Sequence, residues 1–155
     1  DAYFVAKQIA AYAEGKGFDL ILTGRESIDY NGSQVASMIG EFLNIPAISI
    51  VKSLVTEGTG ITCEREIEGG KEVVSTPLPA VISATEGMAE PRIPNMRGIM
   101  SARTKPLQII EPVEVAQLQN ITGYDKPKPR SQVKLVPSDQ VKQLVDLLHN
   151  EARVI

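Results

Sequence analysis

Between Phe18 and Val51 the chain runs through an apolar stretch, a glycine-led polar loop, an amphipathic stretch and a second apolar stretch. This order constrains the fold more than any other feature. Phe18 to Thr23 has strand character, and Gly24 to Ser33 is polar and turn-like. Val35, Met38, Ile39 and Phe42 recur at i, i+3, i+4 and i+7, the spacing of one buried helix face. Asn44 and Pro46 end that helix, and Ala47 to Val51 reads as strand again. Two strands joined through a helix lie parallel, because the crossover returns the chain to the same end of the sheet. A preceding helix is predicted from Val5, Ile9, Tyr12 and Ala13, closed by Gly15 and Gly17. The expected class is α/β, a parallel Rossmann-like sheet flanked by helices.

The middle of the chain changes period. Ile61, Cys63, Arg65 and Ile67 alternate with Thr62, Glu64 and Glu66, and Gly69-Gly70 precedes Val73 and Val74. That pattern predicts an antiparallel hairpin with a glycine turn, inserted over residues 52–77, with a third strand at Leu54 to Thr56. Ala80 to Ala84 resumes the buried-strand style. Residues 85–105 form a connection containing Pro91 and Pro94, with a short helix expected from Asn95 to Arg103. Leu107 to Ile110 reads as a last strand. The Lys- and Pro-rich stretch that follows reads as an extended arm, and Val141, Leu144, Val145 and Leu148 mark an amphipathic helix N-capped by Ser138. The predicted division is a nucleotide-binding-type domain at 1–118 and an arm with its helix at 119–155.

Composition removes several function classes. Cys63 and His149 are the sole cysteine and histidine. A disulfide within the chain, a Cys/His zinc site and a histidine-dependent nucleophilic mechanism are therefore not expected, so no catalytic or metal-ligating residue is assigned. His149 reads as a solvated helix residue. The formal net charge of −3 gives no reason to expect nucleic acid. No apolar run has the length of a membrane span, so no membrane insertion is expected. A reducing compartment fits, the cytoplasm of a bacterium or the mitochondrial matrix. The chain opens Asp1-Ala2-Tyr3-Phe4-Val5 without Met, which suggests a longer protein with an N-terminal part not represented here.

The loop from Gly24 to Met38 is the candidate site. Ligands of parallel α/β sheets sit beyond the carboxyl ends of the strands. The first helix amides lack partners, and the helix dipole favours an anion there. Gly32 permits close backbone approach, Ser33 adds a hydroxyl, and Asp29 suits a ribose hydroxyl or stiffens the turn. The loop has neither GxGxxG spacing nor a Walker lysine. From the residues alone, a plain helix cap by Asn31 or Ser33, with Asp29 in a turn, explains the loop equally well.

Three segments in order add a resemblance. Gly24-Arg25-Glu26-Ser27-Ile28-Asp29-Tyr30-Asn31-Gly32-Ser33-Gln34-Val35 resembles the adenine-nucleotide loop of electron transfer flavoprotein β subunits. Glu64-Arg65-Glu66-Ile67-Glu68-Gly69-Gly70 is similar to that family's hairpin. Glu90-Pro91-Arg92-Ile93-Pro94-Asn95-Met96-Arg97-Gly98-Ile99-Met100-Ser101-Ala102-Arg103 is similar to its signature segment. The resemblance runs from about Ala2 to Ile110 and is weaker in the arm and final helix.

The resemblance implies an adenine-nucleotide-binding fold and a larger α subunit as partner, which holds most of a redox-active FAD. It implies AMP in this chain, or a second FAD in electron-bifurcating members. The pair would carry electrons from acyl-CoA dehydrogenases or similar flavoenzymes to a quinone reductase or another acceptor, without a side-chain nucleophile. Carried over by position, Asp29 and the Gly32, Ser33, Gln34 and Val35 segment would hold phosphate and ribose, and Gly24 and Ile28 would shape the pocket. Arg65 and Glu66 would face the partner's flavin; the alternative is a solvated strand pair worth under about 1 kcal/mol. Glu90, Pro91, Arg92, Met96, Ile99 and Met100 would dock the electron donor, Met96 as a flexible apolar anchor. The alternative there is that Met96 and Met100 bury against their own domain.

Ile93 stands where the family has Tyr, Ala89 where it has Asn, Gly98 where it has a polar residue, and Glu26 where it has Gln. These departures bear on partner identity more than on family. A non-redox nucleotide sensor would not need the Glu90-Pro91-Arg92 segment, and an adenylating enzyme would need a pyrophosphate loop. In the family, the first strand and its loops form much of the adenosine pocket. The 155-residue chain alone is therefore expected to bind AMP weakly or not at all. Titration calorimetry giving a sub-micromolar Kd would contradict this.

Overall fold

The computed structural model describes residues 1–130 and 132–155. Ser131, within the expected arm, lies outside the described residues. The chain forms two compact units, residues 1–120 and 121–155.

The first unit opens with α1 (Ala2–Ala13), whose N-cap Asp1 accepts a hydrogen bond from the Phe4 amide at 2.7 Å. β1 (Leu20–Gly24), α2 (Val35–Leu43) and β2 (Ala47–Glu57) follow. β3 (Gly60–Ile67), β4 (Gly70–Pro77), β5 (Ala80–Ala84) and the short α3 (Met96–Ala102) complete the unit. The sheet order is β1-β5-β2-β3-β4. β5 lies parallel to both β1 and β2, while β2, β3 and β4 form an antiparallel meander. The architecture is thus α/β with a mixed sheet, and the parallel part is the one built by the β1–α2–β2 crossover.

The β3–β4 hairpin turns at Glu68-Gly69, with Ile67 opposite Gly70 and Gly69 at φ +82°. The separate strand expected at Leu54 to Thr56 does not exist. It is the far half of β2, which runs unbroken in the chain from the parallel region into the hairpin region. Register shifts between Ile48 and Val51 on the β5 side and between Val51 and Ser53 on the β3 side place a bulge where the strand changes partner type.

Side-chain alternation along β5 divides the core. Ala80 and Ile82 pack with Ile48, Val51, Ile61 and Cys63 on one face. Val81 packs on the other with Ala6, Ala36 and Ile39 of the two helices. Burial raises the pKa of the Cys63 thiol. α1 differs from expectation: its buried residues are Ala6 and Ala10, and Val5, Ile9 and Tyr12 are exposed. Small residues let α1 approach the rest of the domain closely, and Tyr3 meets Phe42 edge-to-face at 5.4 Å.

Leu107 to Ile110 does not form the expected strand. It finds no ladder partner among the described residues, and Leu107 and Ile109 are exposed. The segment is instead tied at Val113, whose amide and carbonyl both bond the Gln8 side chain at 2.9 and 2.8 Å.

In the second unit, α4 (Val141–Asp146) continues into a wider π-type stretch, Leu147–Ala152. Its N-cap is Gln140, not Ser138, and makes no side-chain cap bond, so the helix starts at Val141, the first residue of the apolar spacing, and later than a Ser138 cap implied. Val141, Leu144 and Val145 are exposed, and Lys134 pairs with Glu151 at 2.8 Å. Among the described residues no helix is long and apolar enough to cross a membrane.

Gly40 fixes how α2 meets β2. A Cβ there would stand 2.7 Å from the Ala47 Cβ and 3.0 Å from the Ile45 carbonyl oxygen. Neither neighbour is a flexible side-chain end, so Gly40→Ala forces the backbone apart despite the better helix propensity of alanine. The variant is expected to lose roughly 1–2 kcal/mol in urea unfolding.

Candidate functional site

β1 delivers the chain to Gly24 at the carboxyl edge of the sheet, and α2 leaves from Val35. The connecting loop is exposed throughout, Ile28 to 96%. Asn31 and Ser33 take left-handed φ values of +48° and +50° on either side of Gly32. Left-handed backbone is unsuited to an N-cap, which needs extended geometry. Neither residue caps the helix. The N-cap is Gln34, and it makes no side-chain cap bond. Ser33 instead donates to Glu26 Oε2 at 2.9 Å, closing the loop on itself, while Glu26 Oε1 lies 3.7 Å from Arg25 Nε. The plain-cap account of the loop therefore fails in its stated form, and the first amides of α2 stay open to an acceptor.

The Asp29 carboxyl is held below its ordinary pKa, chiefly by a hydrogen bond from the Ser27 side chain. Desolvation opposes this as the second-largest effect, and weaker bonds from the Asp29 and Tyr30 backbones act in the same direction as Ser27. Asp29 is thus an ionised acceptor at neutral pH.

Arg65 and Glu66 lie on β3, between β2 and β4. With Arg25, Ile50, Ile67 and Glu68 they line a cleft of about 500 Å³. The loop and the hairpin, far apart in sequence, thus meet through Arg25. Glu66 accepts from Lys52 Nζ at 3.0 Å. Arg65 Nε is 3.5 Å from Glu72 Oε2, close enough for an ion pair but too poorly aligned for a hydrogen bond. Exposed pairs of this kind contribute roughly 0–1 kcal/mol.

Glu90, Pro91 and Arg92 occupy an irregular segment leading to α3. Asn95 caps that helix by accepting from the Gly98 amide at 2.8 Å. Met96 is 72% and Met100 65% exposed, and Ile99 is also exposed. The alternative that both methionines bury against their own domain does not hold in this chain.

Sequence reasoning passed over Ile50 and Ser83. Ile50 has φ +62°, which a β-branched residue rarely adopts. Its amide donates to the buried Ser83 hydroxyl at 3.4 Å. The available signal was one polar residue inside the apolar run Ala80-Val81-Ile82-Ser83-Ala84. Lys52, the extra residue of the bulge, gave no signal.

The sequence model of the family described as Electron transfer flavoprotein domain matches residues 1–115. The chain belongs to that family. It is similar to the electron transfer flavoprotein subunit beta of Bacillus subtilis (strain 168), at 36% identity over 165 aligned positions. That alignment covers all of this chain and 64% of the relative, so the chain spans somewhat under two thirds of that protein's length. The electron transfer flavoprotein match takes in the whole sheet, the Gly24–Val35 loop, the Arg65–Glu66 strand and α3.

Ser27→Ala removes the largest cause of the Asp29 shift. A carbon-detected titration should show the Asp29 carboxyl below its ordinary pKa in the parent and moving up towards it in the variant. Because the folded pKa is depressed, whatever Asp29 adds to stability is present above its unfolded pKa and disappears as pH falls through the folded one. An Asp29 titration unchanged by Ser27→Ala would refute this assignment.

Proposed function

We propose that the chain serves as the β-type part of an electron transfer flavoprotein, holding an adenine nucleotide at the Gly24–Val35 loop and docking an electron donor through α3. The observation that carries this reading is the uncapped N-terminus of α2 at the carboxyl edge of a parallel sheet, in a chain of this family. Open helix amides and the helix dipole attract a phosphate, and the ionised Asp29 can accept from a ribose hydroxyl. Gly24, Ile28, Gly32, Ser33, Gln34 and Val35 would surround the nucleotide, which in a simple carrier is AMP and has a structural role.

An α subunit would hold most of the FAD, with Arg65 and Glu66 on its flavin side. FAD, when bound, supplies the redox chemistry. The side chains of this chain orient and enclose, and none acts as nucleophile. Acyl-CoA dehydrogenases or similar flavoenzymes are the proposed donors, and a quinone reductase the proposed acceptor, in the bacterial cytoplasm or the mitochondrial matrix. Exposed Met96, Ile99 and Met100 suit a flexible apolar contact with a donor, and Glu90, Pro91 and Arg92 would position it. The open apolar side of α4 suits docking on the α subunit.

Purifying the two-subunit protein, releasing its ligands by denaturation and counting them tests the reading. One FAD and one AMP per pair is the expected result. Two FAD and no AMP would assign a second flavin to this chain and favour bifurcation. Absence of flavin would overturn the proposal.

A further inference from the structure

The cleft beside β3 holds two guanidinium groups whose Nε atoms have only loose ion-pair contacts, Arg25 with Glu26 and Arg65 with Glu72. Among the described residues neither Arg25 nor Arg65 donates an aligned hydrogen bond. Arg65 Nε is out of contact with solvent and only faces Glu72 Oε2 at 3.5 Å. Arg25 Nε has only its chain neighbour Glu26 at 3.7 Å, and that carboxylate already accepts from Ser33. A buried donor without an acceptor is costly, the more so when charged, so such groups are normally satisfied.

The backbone also keeps the space open. At Ile50 the β2 ladder leaves register with β5, the residue is left-handed, and the Ser83 hydroxyl accepts its amide hydrogen bond. Strain of this kind concentrates where a site is being shaped. Of the two acids lining the cleft, Glu66 is engaged by Lys52.

We propose that this cleft seats a single oxyanion, a carboxylate or a phosphate group, between the guanidinium groups of Arg25 and Arg65. Paired planar donors match the two oxygens of such a group. The seat is separate from the helix amides at Val35, and it does not depend on a nucleotide occupying that loop. A phosphate would come from a ligand, and a carboxylate from an acidic side chain of a partner.

The arginine Nε–Hε correlations of the 155-residue chain provide a direct readout, assigned with Arg25→Gln and Arg65→Gln. The chain is titrated with inorganic phosphate, with acetate, and with sodium chloride at matched ionic strength. Both correlations are expected to shift saturably with at least one oxyanion and not with chloride, and the tighter of the two oxyanions identifies the source. Arg25→Gln should weaken the binding seen at Arg65 by roughly ten-fold. Glu72→Gln, which removes the acidic neighbour of Arg65 Nε, should leave binding as tight or tighter. Shifts that merely follow chloride would overturn the proposal, as would an Arg65 titration identical in the Arg25→Gln variant. Arg65→Gln is used for assignment alone, so its folding does not decide the outcome.

Discussion

Parallel pairing of β5 on both sides is the constraint on which the rest of the first unit depends. Ala80, Val81 and Ile82 are fully buried and Ser83 is 2% exposed, because strands cover both edges of β5 and packed side chains cover both faces. The pairing also sets where the functional elements end. Gly24 and Val51 both pair with Ala84, one from each side. The end of β1 and the end of the parallel stretch of β2 are therefore two strand spacings apart, roughly 10 Å. A loop at residue 25 and a bulge at residue 50 can line one cleft only because a strand from residue 80 lies between them.

The bulge shows how that arrangement is maintained. A left-handed β-branched residue costs on the order of 1–3 kcal/mol. Ile48 and Val51 flank it in the chain and are almost entirely buried, and full burial of each such side chain is worth about 1.5–3 kcal/mol. The flanking contacts outweigh the strain, so Ile50 has no free choice of conformation. Ser83 supplies the acceptor that the broken ladder no longer provides to the Ile50 amide. The polar residue in β5 and the distortion in β2 are thus parts of one local solution.

This explains what was legible in the chain and what was not. The β1–α2–β2 order, the β3–β4 hairpin and the inward face of α2 follow from periodicity, which reports how each element meets a core. Periodicity misled at α1, where small Ala6 and Ala10 form the contact and the larger Val5, Ile9 and Tyr12 do not. It misled at Leu107 to Ile110, because apolar content cannot supply a ladder partner. At the candidate site, residue types showed that the loop precedes a helix. They did not show that Ser33 turns to Glu26 instead of capping, since that depends on left-handed backbone at Asn31 and Ser33. The meeting of Arg25 with Arg65 was invisible, because it follows from strand order, which no local pattern encodes.

In the proposed complex, the two exposed regions would act through different physics. The β3 side presents charges already partly paired within the chain, as with Lys52 and Glu66 or Arg65 and Glu72. A partner group there exchanges one exposed ion pair for another, so the net gain is small and the benefit lies in orientation and rate. α3 has no such internal competition. Met96, Ile99 and Met100 all remain substantially exposed, and covering them removes apolar surface from water at about 25 cal/mol per Å². Holding strength would therefore come from α3, and the direction from which a flavin-bearing domain approaches would come from β3.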